Sequence, residues 1–197
     1  MNKISPSRIA FVLIVSLFLF QSSAFAQRAT IALSDSSAEF GYGMLVGSTE
    51  YGRTEFGIDF LYNDDDAYMG NVSLQVFDEV GSKSYGLEAG VGGKLYGVSH
   101  DEAEALSLGI GGMLRYALPI NTRIVLGLDG YYAPSIVSFF DAQWFYEVGA
   151  RAAFKILPKA SIFFEYRDFA MEVENESNKD VTAHVDKTYR LGLEVLF

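Results

Sequence analysis

The chain has no cysteine, only four prolines and two histidines, and fifteen basic residues against twenty-five acidic ones in 197. Without cysteine there is no disulfide framework, no thiolate metal site and no sulfur to carry a lipid anchor. Scarce proline argues against a disordered or collagen-like chain. The acidic balance, a net charge of -10, makes nucleic acid an improbable partner, since phosphate backbones are held by Lys and Arg. No apolar run reaches the roughly 20 residues that a membrane-spanning helix needs, and after residue 26 no stretch carries a convincing helical stripe. Any membrane anchoring must come from the fold itself.

Residues 1–26 read as a cleaved export signal. Lys3 and Arg8 supply the positive start, Ile9 to Phe20 a short apolar core, and Ala24-Phe25-Ala26 a small-x-small cleavage site. Cleavage would leave 27–197 as one domain, because no linker or compositional shift divides it. Removing two bases and no acids brings its charge to about -12. Nineteen glycines accompany sixteen Phe and twelve Tyr, a pairing that helices disfavour and that strands alternating bulky with minimal side chains accommodate.

Period-two runs are expected at about 28–34, 37–46, 54–62, 68–77, 84–96, 105–118, 122–132, 142–156, 160–170 and 185–197. Asp101 to Ala105 is expected to form at most a helical turn. The division of faces repeats from strand to strand. Phe56, Ile58 and Phe60 alternate with Glu55, Gly57 and Asp59, and Ile162, Phe164 and Tyr166 with Ser161, Phe163 and Glu165. Alternation alone does not separate a soluble barrel, apolar inside, from an outer-membrane barrel, apolar outside. Three features favour the membrane. Tyr62, Tyr68, Tyr96, Tyr116, Tyr132, Trp144 and Tyr166 cluster near strand ends, as interfacial girdles do. The polar face is rich in Gly, Ala and Ser, which leave room for long charged side chains in a narrow lumen.

The third feature is charge balance. Turning the polar face inward gathers eight acids, Glu39, Glu55, Asp59, Glu88, Asp129, Glu147, Glu165 and Glu194, and seven bases, Lys94, Arg115, Arg123, Arg151, Lys155, Arg167 and Arg190. Acids dominate the early strands and bases the later ones, so closure would bring them together as a charge-paired lumen, an unpaired buried charge being costly. The fold expected is therefore all-β, a small antiparallel transmembrane β-barrel of ten strands, with eight as the alternative. Leu157-Pro158-Lys159 and Pro119-Ile120-Asn121 would be tight turns at one end, and longer links at about 133–141 and 171–184 would lie at the other.

The chain ends on Tyr189-Arg190-Leu191-Gly192-Leu193-Glu194-Val195-Leu196-Phe197, with Tyr189, Leu191, Leu193, Val195 and Phe197 on one face. This strand, the opening Ala29-Thr30-Ile31-Ala32-Leu33-Ser34-Asp35-Ser36-Ser37-Ala38-Glu39 and the Tyr62-Asn63-Asp64-Asp65-Asp66 turn resemble the YfaZ-type outer membrane proteins of Gram-negative bacteria. The resemblance covers nearly the whole of 27–197 and rests on pattern rather than on an invariant motif. It implies an outer-membrane location and brings no catalytic motif. The closing strand looks like the signal read by the barrel-assembly machinery, which would be a partner during biogenesis, with outer-membrane lipid and lipopolysaccharide as partners afterwards.

No enzyme is expected, and neither metal nor cofactor. Ser99-His100-Asp101 offers the best residues for a lipid acyl hydrolase or acyltransferase, yet adjacent loop residues rarely reach triad geometry. Asp64-Asp65-Asp66 does not build a six-to-eight-oxygen calcium cage. Gly90-Val91-Gly92-Gly93 and Gly109-Ile110-Gly111-Gly112 precede no helix and are strand glycines, not phosphate loops. With Tyr96, Tyr131, Phe145 and Phe163 directed inward, the lumen should be largely occluded, which suggests a structural or interaction role. The alternative is a narrow channel for ions or small solutes.

Overall fold

The computed structural model describes residues 27–50, 52–64, 67–81, 86–100, 103–140, 142–174 and 180–197. The expected signal at 1–26 lies outside them, as do Asp65, Asp66 and Asp101. Alternating side chains produce β1 (Gln27–Leu33), β2 (Ser37–Thr49), β3 (Gly52–Asn63), β4 (Tyr68–Glu79), β5 (Leu87–His100), β6 (Ala103–Ala117) and β7 (Ile124–Ala133). After a single 3-10 turn at Ser135–Val137 come β8 (Ser138–Phe140), β9 (Ala142–Leu157), β10 (Ala160–Glu174) and β11 (Asp180–Leu196). Ala103 to Ala105, expected in a helical turn, is the start of β6, paired with the end of β5 through His100 opposite Ala103.

All pairings are antiparallel, and β1 joins β11 while β5 joins β6, so the sheet closes on itself. Ten strands form the wall. The three residues of β8 extend it, pairing with Ala105 to Ser107 of β6 beyond the stretch that β7 covers. The last strand completes the ring: Phe197 N–H donates to Gln27 O at 3.0 Å and Gln27 N–H to Phe197 O at 3.1 Å. Closure removes the sheet edges that would otherwise bring unpaired backbone groups into lipid.

An even strand number puts Gln27 and Phe197 at one end of the barrel, the periplasmic end of such proteins. Leu118 to Arg123 turns there, its Asn121 side chain accepting Arg123 N–H at 3.1 Å, and β9 passes to β10 there through Pro158 and Lys159. The expected contrast between short inner and long outer links is weaker than the sequence suggests. At the outer end Ser34 closes the β1–β2 link by accepting Ser37 N–H at 2.8 Å, a short hydroxyl-capped turn. Pairing of β10 with β11 runs on to Glu174 opposite Asp180, consuming most of the link expected at 171–184. Meanwhile the periplasmic link from Glu79 to Leu87 is among the longer ones.

The barrel is inside out relative to a soluble protein. Ile110 and Val91 on the outer face are 71% and 70% exposed, whereas Glu147 and Arg190 inside are 0% and 1% exposed. An apolar belt with this exposure requires hydrocarbon around it. Aromatics ring the outer end: Tyr62 packs on Tyr68 at 5.2 Å, and Trp144 stacks on Tyr146 at 5.7 Å between centroids. Tyr96 departs from the expected girdle. Its parity on β5 turns it inward, and it is fully buried in the lumen.

Candidate functional site: the barrel lumen

Every rising strand presents charge low and apolar bulk high. Along β5 the inward residues run Glu88, Lys94, Tyr96, Val98; along β7, Asp129, Tyr131, Ala133; along β10, Glu165, Arg167, Phe169. Three layers result. At the outer end Leu61, Met69, Tyr96, Val98, Ala105, Tyr131, Ala133, Phe145, Phe169 and Met171 form one buried apolar cluster. Tyr96 meets Phe145 at 4.3 Å and Phe145 meets Phe169 at 6.1 Å. Between Phe169 and Ala170 the pairing skips Val185, so the extra residue lies on β11, while β10 keeps its alternation and sends Phe169 and Met171 into the cluster.

The middle layer is ionic. Lys94 Nζ donates to both carboxylate oxygens of Glu147 at 2.9 Å, and the Tyr96 hydroxyl donates to the same carboxylate. Arg167 donates to Glu39 Oε2 at 2.7 Å; its Nε lies 2.9 Å from Glu165 and 3.8 Å from Glu147. Arg190 donates to Glu39 and to Asp186. Three cations thus hold Glu39, Glu147, Glu165 and Asp186, with Asp59 and Asp129 beside them along the lining of the inner cavity. Asp129 Oδ2 and the Tyr131 hydroxyl have no hydrogen-bond partner within the described protein, a costly condition for buried polar atoms.

The periplasmic layer is more open. Arg28 pairs with Glu55 at 2.5 Å, Arg53 with Glu88 at 2.5 Å, and Arg151 with Glu194 at 3.0 Å. Arg151 also lies 3.5 Å over the Phe163 ring, and Arg115 lies 4.8 Å over Phe77. These side chains surround a cavity of about 460 Å³ at the mouth. A second cavity of about 100 Å³ reaches up to Lys94, Asp129 and Arg167. Both are lined by Arg28, Arg115, Gly127 and Arg151, so they adjoin. Inward glycines make the room: a Cβ at Gly109 would stand 2.9 Å from the Tyr96 ring, and one at Gly192 would enter the Phe163 ring.

Of the charges assigned to the lumen from sequence, Glu39, Glu55, Asp59, Glu88, Lys94, Arg115, Asp129, Glu147, Arg151, Glu165, Arg167, Arg190 and Glu194 all line the two cavities or join these pairs. Lys155 is exposed at the mouth. Arg123 is exposed in the turn, one residue before β7 begins, and contributes nothing to the lining. Sequence reasoning omitted Arg28, Arg53 and Asp186. Arg28 and Arg53 sit at strand starts set two residues or fewer from expected bounds, and Asp186 shares the face of Arg190 four positions on. The pairing of early acids with late bases holds for Glu39 with Arg167 and Arg190. It fails for Arg28–Glu55 and Arg53–Glu88, each of which joins two early strands across one between them. Ser99 is exposed on the outer face, away from the lumen, and among the described residues no group of three His, Asp or Glu could hold a metal.

The family model described as YfaZ precursor matches residues 1–195. The chain belongs to the YfaZ family. This YfaZ-family barrel is a protein of the outer membrane, with a small, charge-paired and largely occluded interior. A comparison with curated proteins finds no match. Among solved structures it is similar to the KdgM porin, at 12% identity over 87% of this chain and 99% of that one, TM-score 0.45. It is also similar to OmpT of Vibrio cholerae, at 10% identity over 86% of this chain and 64% of that one, TM-score 0.39. A third is the translocator domain of the autotransporter NalP from Neisseria meningitidis, 11% identical over 97% of this chain and 95% of that one, TM-score 0.31.

Proposed function

We propose that the YfaZ-family barrel is a narrow path for ions or small solutes, closed at its outer half. The adjoining cavities that lead from the periplasmic mouth to the Lys94–Glu147 pair carry this reading. A barrel serving only as a membrane plug gains nothing from desolvating so many charges, because well-packed apolar residues of similar volume are as stable or more so. A polar path through a low-dielectric membrane, in contrast, needs paired charges along its wall. The apolar cluster around Tyr96, Phe145 and Phe169 is the gate, of the dewetting kind.

Planar-bilayer recording tests the reading. Wild-type barrel should give small, infrequent conductance steps, and Phe145→Ala, which removes the ring between Tyr96 and Phe169, should give larger or more frequent ones. Silence from both, with both folded by heat-modifiable mobility, would overturn it. A structural or interaction role, which the buried apolar layer favours, would then stand.

Residues 1–26 are proposed to act as a cleaved leader. Tyr189, Leu191, Leu193, Val195 and Phe197, whose side chains face outward and are exposed, are proposed as the signal for the barrel-assembly machinery. Deletion of Phe197 should slow insertion into the outer membrane, measured by pulse-chase folding, and an unchanged rate would remove that signal. Lipid and lipopolysaccharide are proposed as the partners of the belt.

A further inference from the structure

The junction of the two cavities holds more cationic groups than its carboxylates engage. Arg28 is matched by Glu55 and Arg151 by Glu194. Arg115 stands directly opposite Glu88 in the β5–β6 register, yet the Glu88 carboxylate is bonded to Arg53. Arg115 rests on the Phe77 ring, and no carboxylate of the described residues lies within ion-pair distance of it. Arg115 therefore lines the junction of the two cavities without an ionic partner, beside two further guanidinium side chains, those of Arg28 and Arg151.

We infer that Arg115, with Arg28 and Arg151, forms a seat for an anionic oxygen group, a carboxylate or phosphate of a small solute entering from the periplasm. A guanidinium presents a planar fork of donors that matches either group. Low-dielectric walls strengthen its field relative to water. The Phe77 ring fixes one face of Arg115 and leaves its edge donors for the solute. The seat stands independently of conduction, because equilibrium binding at a blind vestibule needs no path through the outer half.

The test is calorimetric titration of the detergent-solubilised full barrel at low salt, with inorganic phosphate and citrate as probes and glycerol as the neutral comparator. Saturable binding of either anion, and none of glycerol, is expected. Arg115→Gln should weaken it about tenfold, the scale of one lost charge-assisted hydrogen bond, while Arg115→Lys retains most of it and Arg123→Gln, outside the lining, changes nothing. A readout that leaves Arg115 intact uses Ala117→Cys, at the vestibule wall: phosphate should slow its modification by a charged thiol reagent and glycerol should not. Absence of saturable anion binding by the wild type, equal binding by Arg115→Gln, or equal modification rates with phosphate and glycerol would each overturn the inference. A silent barrel that binds phosphate would sink the channel and leave the seat; a conducting barrel that binds no anion would do the reverse.

Discussion

Above Glu147 the lumen is closed by Tyr96, Phe145, Phe169 and their apolar neighbours, whereas below it the same strands surround paired arginines and glutamates around open space. The strands do not change between the two halves; only their inward residues do. Four positions along β5, from Gly92 to Tyr96, carry the lining from open to filled. The difference shows where this protein concentrates stability. At the boundary Lys94, Glu147, Glu39, Arg167 and Arg190 are withdrawn from water and held by one another, while the charges at the mouth share their field with water.

The largest effect should follow a cut at the boundary. Glu147→Ala leaves Lys94 and the Tyr96 hydroxyl without their acceptor and removes a partner of Arg167. A loss of about 3–5 kcal/mol is expected, as for other buried pairs broken on one side, read as a lower urea midpoint in lipid vesicles. An unchanged midpoint would mean that the middle layer is hydrated. The smallest effect should come from the mouth: Glu88→Ala releases Arg53, whose side chain is 49% exposed, and should cost about 0–1 kcal/mol in the same assay. Equal losses from the two substitutions would erase the contrast between the halves.

Much of this organisation was legible in residue order. Period two assigned the faces, because any one-residue error exchanges lipid and lumen for a whole strand; the repeated step from charge to apolar bulk along Lys94-Leu95-Tyr96 and Arg167-Asp168-Phe169 already contains the layering. What stayed hidden depends on quantities that alternation does not encode. Strand stagger decides that Glu88, though opposite Arg115, reaches Arg53 instead. The extra residue Val185 shifts the pairing of β11 against Phe169 and Ala170 without a change of composition. Arg123 keeps lumen parity but falls in a turn, because the Asn121 side chain closes the chain one residue before β7 begins.

The division of the lumen can be read directly because the chain contains no cysteine, so a single introduced thiol is the only one present. Ala153 lines the vestibule and Ala133 is fully buried in the outer cluster. With a charged, bilayer-impermeant methanethiosulfonate reagent on folded barrel, Ala153→Cys should be modified and Ala133→Cys should stay unmodified until the barrel is unfolded. Ready modification of both, or of Ala133→Cys alone, would contradict a lumen open below and closed above.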